Sequence, residues 1–389
     1  MEYRAYRYRI YPNKTQCEYF AKVFGCVRFV YNKMIEDSEN YYKLEGKRLQ
    51  TNPHSYKSQF PFLREVDSSA LSNAKMNLDY AYDRFFKKAT DRPRFKSKKD
   101  NRCTFTTSMY RNNIRIEGEY IRLPKIKFIR AKIHRKFEGT IKKATVIKEP
   151  SGEYFITLLV EAEVEKLPVN ERAIGLDMGV INLLTCSDGS VVENVRSYDR
   201  YMKKLARENR WLSRKKKGGR NREKQRIRLA NIHRKITSIR DDFLHKVSRK
   251  IVNENQVIAC ENLIIGDLLK TNYFSRRDIM DASWVKLTNY LEYKSRWYGR
   301  QFVRVDTFYP SSQICSDCGF RNHDLKGHNI KEWECPSCGT IHQRDYNAAK
   351  NILHEGLRIL SSDEVGRCEY PDTEDHIFST GTIMVDVIG

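Results

Sequence analysis

Residues 2–11 alternate, with Glu2, Arg4, Arg7 and Arg9 set among Tyr and Ile, and the run stops at Pro12. A period of two that ends on a proline predicts a strand. The period then lengthens. Phe20, Val23, Val27, Val30 and Met34 recur every three or four residues behind a capping pair, Asn13 and Gln16, and Leu71, Ala74, Leu78, Ala81 and Phe85 repeat the rhythm. Both stretches predict amphipathic helices, the second closing near Asp91, Arg92 and Pro93. From about Cys103 to Glu163 the period returns to two, through Ile114 and Ile116, Ile121 and Leu123, Ile126 and Phe128, and Tyr154 to Val160, with turns at Gly118 and Gly152. This predicts a small antiparallel β-barrel that the first strand joins, which makes the helices an insertion.

Beyond Val169 the pattern predicts three meandering strands: one ending near Asp177, a turn at Gly179, a second strand, a turn at Asp188 and Gly189, and a third. A helical hairpin follows, broken at Lys217, Gly218 and Gly219 and striped by Leu229, Ile232, Ile236, Ile239, Phe243 and Val247. NQVIACENL predicts a short strand ending at Glu261, QFVRVDTFYPSS another, and DYNAAKNILHEGL a helix starting at Asp345. Three strands, a helical crossover, a fourth strand and a late helix are the element order of an RNase H-like core.

Composition narrows the partner. The 389 residues carry 72 Lys and Arg against 49 Asp and Glu, a net charge of +23. Such an excess is self-repelling unless a polyanion is bound. Between Arg200 and Lys250 stand twenty basic and four acidic residues. A solvated coiled coil mixes both signs, so this hairpin reads instead as a phosphate-facing surface, with Arg210, Arg214, Lys215, Lys216, Arg220 and Arg222 at and around its turn as candidate contacts. The start has no apolar signal-peptide core and no run is long enough to span a bilayer, so a membrane partner is not expected and the location expected is cytoplasmic.

Cys315, Cys318, Cys335 and Cys338 form two CxxC pairs sixteen residues apart, each followed by glycine. Four thiolates in that spacing suit one tetrahedral zinc with no open position, hence a structural ion. Asp177, Glu261 and Asp345 are each unremarkable alone: a turn residue, a strand end, a helix start. The RNase H-like order brings them to one end of a sheet. Three carboxylates held together repel one another unless cations neutralise them, and hard oxygen ligands select magnesium or manganese, two ions being the number that assists phosphodiester hydrolysis.

GLDMGV, ACENLIIGDL, DASWVKLTNYLEYKSRWYG, FYPSSQICSDCG, CPSCGTIHQRDYNAAKNI and DRPRFKSKK together resemble TnpB, the family of RNA-guided nucleases encoded by insertion-sequence transposons and related to type V CRISPR effectors. The resemblance covers nearly the whole chain. It implies a multidomain α+β protein: a wedge β-barrel (1–12 and 101–167), a helical recognition insert (13–100), a RuvC-like nuclease domain (168–307 and 343–360, with the hairpin at 197–252), a zinc-ribbon target-nucleic-acid-binding insert (308–342) and an acidic, flexible tail (361–389). It also implies that Asp177, Glu261 and Asp345 bind two magnesium or manganese ions as the catalytic triad and that the four cysteines hold zinc. In DRPRFKSKK, Arg94, Phe95, Lys96 and Lys98 read equally as a backbone grip with a stacked base or as a core Phe in a solvated loop. The second recognition helix begins DSSALSNAK where family members often have glutamines, so the DNA motif does not transfer.

The expected function is therefore RNA-guided DNA cleavage. A guide RNA from the transposon end reads double-stranded DNA next to a short motif. Alternatives are a cleavage-dead RNA-guided repressor, a strand-transfer transposase, and a compact CRISPR effector guided from an array. Oligomeric state, monomer or dimer on the RNA, is left open.

Overall fold

The computed structural model describes residues 1–47, 49–99, 102–268, 270, 275–325 and 330–362. They divide into two compact units, one of residues 1–163 with the short stretch 226–230, the other of the remainder. Most of the expected tail, from residue 363 onward, lies outside the described residues.

The first unit opens with β1 (Glu2–Tyr11) and the long helix α1 (Lys14–Glu45). The Asn13 carboxamide accepts the Gln16 N–H at 2.9 Å while the Gln16 side chain accepts the Asn13 N–H at 3.0 Å, a reciprocal cap. Gly46, at φ +64°, ends the helix in the left-handed conformation. A short α2 (Tyr56–Gln59) leads to α3 (Ser68–Phe86). The strands β2 (Cys103–Ser108), β3 (Arg115–Glu117), β4 (Tyr120–Leu123), β5 (Ile126–Lys132), β6 (Thr140–Lys148) and β7 (Tyr154–Ala162) follow.

These seven strands make one curled antiparallel sheet in the order β2-β6-β7-β1-β5-β4-β3. The first strand sits in its middle, paired with β7 along nine residues and with β5 along three. No ladder joins β2 to β3 among the described residues, so the sheet is curled without hydrogen-bonded closure. Phe20, Val23, Val30 and Met34 of α1 and Leu71, Ala74 and Leu78 of α3 share one hydrophobic core with Tyr8, Ile10, Phe105, Val146 and Ile156 of the sheet. On α3 the predicted stripe turns by one residue at its end, where Tyr82 is buried and Ala81 and Phe85 are half-buried.

The second unit begins with β8 (Ala173–Met178), β9 (Asn182–Cys186) and β10 (Val191–Glu193). The hairpin comprises α4 (Ser197–Ser213) and α5 (Arg220–Glu254), and then come β11 (Val257–Glu261), α6 (Ile265–Leu268), α7 (Arg276–Ala282), α8 (Trp284–Tyr298) and β12 (Gln301–Val305). After the cysteine-bearing segment with β13 (Glu332–Glu334) and β14 (Ile341–Gln343), the helix α9 (Arg344–Ser361) closes the described chain. The sheet order is β10-β9-β8-β11-β12: the first three antiparallel, β8, β11 and β12 parallel. A parallel pair needs a crossover, and α4 and α5 provide it between β8–β10 and β11. Among the described residues no helix is long and apolar enough to cross a membrane.

The packing of α9 on this sheet is unusually close. A Cβ on Gly175 of β8 would lie 2.2 Å from the Ala349 carbonyl oxygen of α9, and one on Gly356 of α9 would lie 2.4 Å from Ala259 Cβ on β11. Both positions exclude any side chain. Overpacking a tight contact of this kind costs about 1–3 kcal/mol. Gly175→Ala and Gly356→Ala should therefore each lower the thermal unfolding midpoint, whereas Gly25→Ala should raise it, because Gly25 lies inside α1 and its added Cβ would meet nothing within 4 Å. Differential scanning fluorimetry of the three variants checks the contrast; equal shifts would sink it.

Candidate active site

Asp177 is the last residue but one of β8, and Glu261 is the last residue of β11. The two strands are parallel with Leu176 opposite Cys260, so both acids emerge at the same sheet end. The Met178 N–H donates to Glu261 Oε1 at 3.0 Å and fixes that carboxylate across the ladder. Asp345 comes from α9. It is the second helical residue, with Gln343 in the cap position. In the first turn it still meets the positive end of the helix dipole.

All three acids line one cavity of about 590 Å³, together with Asn182, Trp284, Lys331 and Arg344. The Trp284 indole N–H donates to the Gly179 carbonyl at 3.1 Å, which pins the turn directly after Asp177. Burial, then the charges of Glu261 and Asp345, push the Asp177 carboxyl well above the usual range, and Arg344 opposes them. Glu261 is pushed up to about 7, chiefly by burial, with Asp345 adding to the rise and the Met178 N–H working against it. Buried carboxyls whose proton affinity is raised by burial and by one another's charge are a donor set that a divalent cation would stabilise, so these residues fit hard cations. The acids are not gathered as closely as the cysteines; among the described residues that quartet is the group whose ligand atoms all lie within 4.8 Å of one another.

Within the quartet, Cys315 Sγ and Cys338 Sγ are 3.7 Å apart, and Cys318 Sγ and Cys335 Sγ are 3.6 Å apart. The edge of a tetrahedron with Zn–S bonds of about 2.3 Å is about 3.8 Å, so the sulfurs fit zinc. Each pair is built alike: Gly319 N–H donates to the Cys315 carbonyl and Gly339 N–H to the Cys335 carbonyl, both at 2.9 Å. Both glycines have φ near +75°, which a side chain would strain. His342 Nε2 lies 3.0 Å from Cys315 Sγ, and its ring packs on Trp333.

Two buried asparagines, one and two turns into α9, tie this segment to the helix of Asp345. Asn347 accepts the Ser316 N–H at 2.9 Å and donates to the Ile314 carbonyl at 2.7 Å. Asn351 donates to the carbonyls of Ser311 and Ile314. Sequence reasoning passed over this pair, although polar residues four apart on the inner face of a helix were the signal. It also passed over Trp284, His342, Lys331 and Arg344, the last of which stands immediately before Asp345.

The surface candidates divide. Phe95 is 57% exposed, which removes the core reading. Arg94 is paired with Asp91, and the Lys96 backbone is clasped by the Asn32 carboxamide, with its ammonium 3.9 Å from the Tyr31 ring centre. Lys98, Arg210, Arg214, Lys216 and Arg220 are exposed and Lys215 half-buried. Arg222 is committed to structure: its Nη1 donates to the carbonyls of Leu212 and Lys215 at the end of α4.

Comparison with known proteins decides the family. A family model described as "Probable transposase" matches residues 157–272, one described as "Cas12f1-like, TNB domain" matches 284–352, and a "Helix-turn-helix domain" model matches 1–47. The chain is 37% identical over 365 residues to a protein of Streptomyces pristinaespiralis named "Putative RNA-guided DNA endonuclease", covering 91% of this chain and 89% of that one. A TnpB-like protein of Acanthamoeba polyphaga mimivirus is 29% identical over 233 residues, 56% of this chain and 44% of its own. The chain belongs to the TnpB family of RNA-guided DNA endonucleases. InsQ of Escherichia coli, named "Putative RNA-guided DNA endonuclease InsQ", is 30% identical over 390 residues, 93% of this TnpB-family chain and 94% of InsQ. The fold resembles a protein chain of the "Cas12f1-sgRNA-target DNA complex", with a TM-score of 0.60 at 16% identity, covering 87% of this chain and 83% of that one.

The raised Glu261 value has a direct consequence for stability. A carboxyl whose folded value lies above its unfolded one, about 7 against 4.5, binds its proton more tightly in the folded state. Its contribution is therefore fully present below about pH 4.5 and is lost as pH rises to about 7. In the presence of EDTA the wild-type unfolding midpoint should fall across that window more steeply than that of Glu261→Gln. Parallel pH profiles for the two proteins would count against the assignment.

Proposed function

We propose that this TnpB-family chain hydrolyses DNA phosphodiester bonds at the cavity of Asp177, Glu261 and Asp345, at targets selected by a guide RNA. The observation that carries the proposal is the convergence of these three acids, from two parallel strands and one late helix, on one cavity also lined by Lys331 and Arg344. The second unit is then the RuvC-like, RNase H-like nuclease, its cysteine segment (308–342) the zinc ribbon, and the first unit the wedge with its recognition helices. Two magnesium or manganese ions, bound by the three acids, would supply an activated water and charge compensation for the leaving 3′ oxygen.

The chain's own residues prepare that chemistry. Met178 N–H orients Glu261, and Trp284 holds the turn behind Asp177. Asn347 and Asn351 fix α9 to the cysteine segment, so that Asp345 keeps its place. The guide comes from the transposon end, and the DNA partner is a duplex carrying a short adjacent motif. Retention of all three acids argues against the cleavage-dead repressor.

Purified with its RNA, the protein should cut matching duplex DNA next to a suitable motif in magnesium but not in EDTA. Asp177→Ala should bind the same DNA while cleavage falls by more than about 100-fold, the upper end of the loss typical even for groups that merely support metal ligands. Retained cleavage by Asp177→Ala, or strand joining in place of hydrolysis, would overturn the reading.

Chelation tests the cysteine quartet separately. One zinc per chain should be measured by elemental analysis, and Cys335→Ser should lose it. Because Asn347 and Asn351 tie that segment to α9, the same variant should also lose cleavage although no cysteine lines the catalytic cavity.

A further inference from the structure

The four cysteines differ in their surroundings. Cys318 and Cys338 are exposed, whereas Cys315 and Cys335 are buried. Four thiolates on one zinc leave the cluster with a net double negative charge. An exposed sulfur sheds its share of that charge into water, but a buried one depends on donors from the protein. Cys315, only 1% exposed, receives the backbone N–H groups of Cys318 and Asp317. One side chain also stands against it, and that side chain is His342.

Thr340, just before β14, and His342, within it, are two residues apart and so share one face of the chain. His342 Nε2 lies 3.0 Å from Cys315 Sγ, and Thr340 Oγ1 lies 3.3 Å from Cys338 Sγ. A zinc-bound thiolate has no proton to give, so in the loaded site the imidazole N–H and the hydroxyl are the donors. That fixes the proton of His342 on Nε2. The ring is held in place: it is 6% exposed, and its centre lies 4.8 Å from that of Trp333. His342 stands outside the group whose ligand atoms all lie within 4.8 Å of one another, which makes it a neighbour of one sulfur and not a fifth ligand.

We propose that His342 is a positioning residue of the zinc centre, whose Nε2–H hydrogen-bonds the buried Cys315 thiolate and so retains the metal, with Thr340 serving the exposed Cys338. A donated hydrogen bond draws charge from the sulfur, which makes it a poorer nucleophile and a poorer base without removing it from the metal. Water can replace the Thr340 hydroxyl at Cys338 but has no access to Cys315, so the two positions differ in consequence. His342 also stands three residues before Asp345, on the strand that leads directly into α9. The metal centre is thereby tied to the start of that helix through a side chain. The inference rests on the reading that the quartet holds zinc.

The test follows zinc transfer from the full chain, with its copurifying RNA, to the chromogenic chelator pyridylazoresorcinol. His342→Phe keeps a ring on Trp333 but has no N–H, and it should release zinc about tenfold faster than wild type. His342→Gln, whose amide nitrogen can take the place of Nε2, and Thr340→Val should both stay within about threefold of wild type. Alkylation of Cys315 by N-ethylmaleimide, read by peptide mass spectrometry, should accelerate in His342→Phe alone. If that variant does not fold, His342→Asn repeats the measurement, because its shorter amide stops short of the sulfur and should also speed release. In cobalt-exchanged protein the intensity of the visible bands, which reports the thiolate ligands, should be the same with and without His342. Wild-type release rates in the donorless variants would overturn the inference, and so would equal acceleration in His342→Phe and His342→Gln, which would assign the residue to packing. A cobalt spectrum altered by loss of His342 would make it a ligand and likewise refute the proposal. Wild-type protein free of zinc by elemental analysis would overturn the zinc reading beneath it.

Discussion

The close approach of α9 to the parallel strands governs the geometry of the candidate site. Gly175 and Gly356 leave no room for a side chain, and the helix settles against β8 and β11 at backbone distance. That contact determines how far Asp345 stands from Asp177 and Glu261. A helix held off by ordinary side chains would sit further from the sheet and withdraw its acid from the cavity. Packed interiors do not deform continuously, so the distance is set by the smallest residues at the contact.

The same helix joins the two candidate metal centres. Asp345 lines the candidate cavity, and Asn347 and Asn351, two and six residues further on, reach the backbone beside Cys315. Buried amides with satisfied donors and acceptors are costly to rearrange. The cysteine segment is thus part of the scaffold that positions an acid, which explains why CPSCGTIHQRD places a metal-binding pair so near an aspartate. Charge is distributed on the same logic. Asp177 and Glu261 stand where burial raises their proton affinity, and most of the excess of Lys and Arg is carried on the hairpin.

Much of this was legible before the coordinates. The reciprocal cap of Asn13 and Gln16, the buried faces of α1 and β1, and the glycine turns at Gly118, Gly152 and Gly189 follow from periodicity and backbone conformation, which are local. The spacing of the four cysteines announced a tetrahedral site because two short turns suffice to build it. Other features were not legible. The stripe expected on α5 reached Val247, but Leu244, His245 and Ser248 are the residues buried there, because the neighbouring elements select the inner face. Arg222, a candidate phosphate contact, also donates its Nη1 to the carbonyls of Leu212 and Lys215, a structural tie that no local pattern announces.

Sequence alone determined the longer strands, the helices of the first unit, the hairpin and the last helix, along with the turn glycines, the polyanion-seeking charge and the identity of the acids and thiols, because each depends on residues near one another in the chain. Tertiary structure decided that β1 lies at the centre of its sheet and that Glu261 is oriented by the Met178 amide. It also decided that α9 rests directly on β8 and β11. These are contacts between residues tens to hundreds of positions apart. Their geometry comes from packing and from the satisfaction of buried polar groups, neither of which has a local signature.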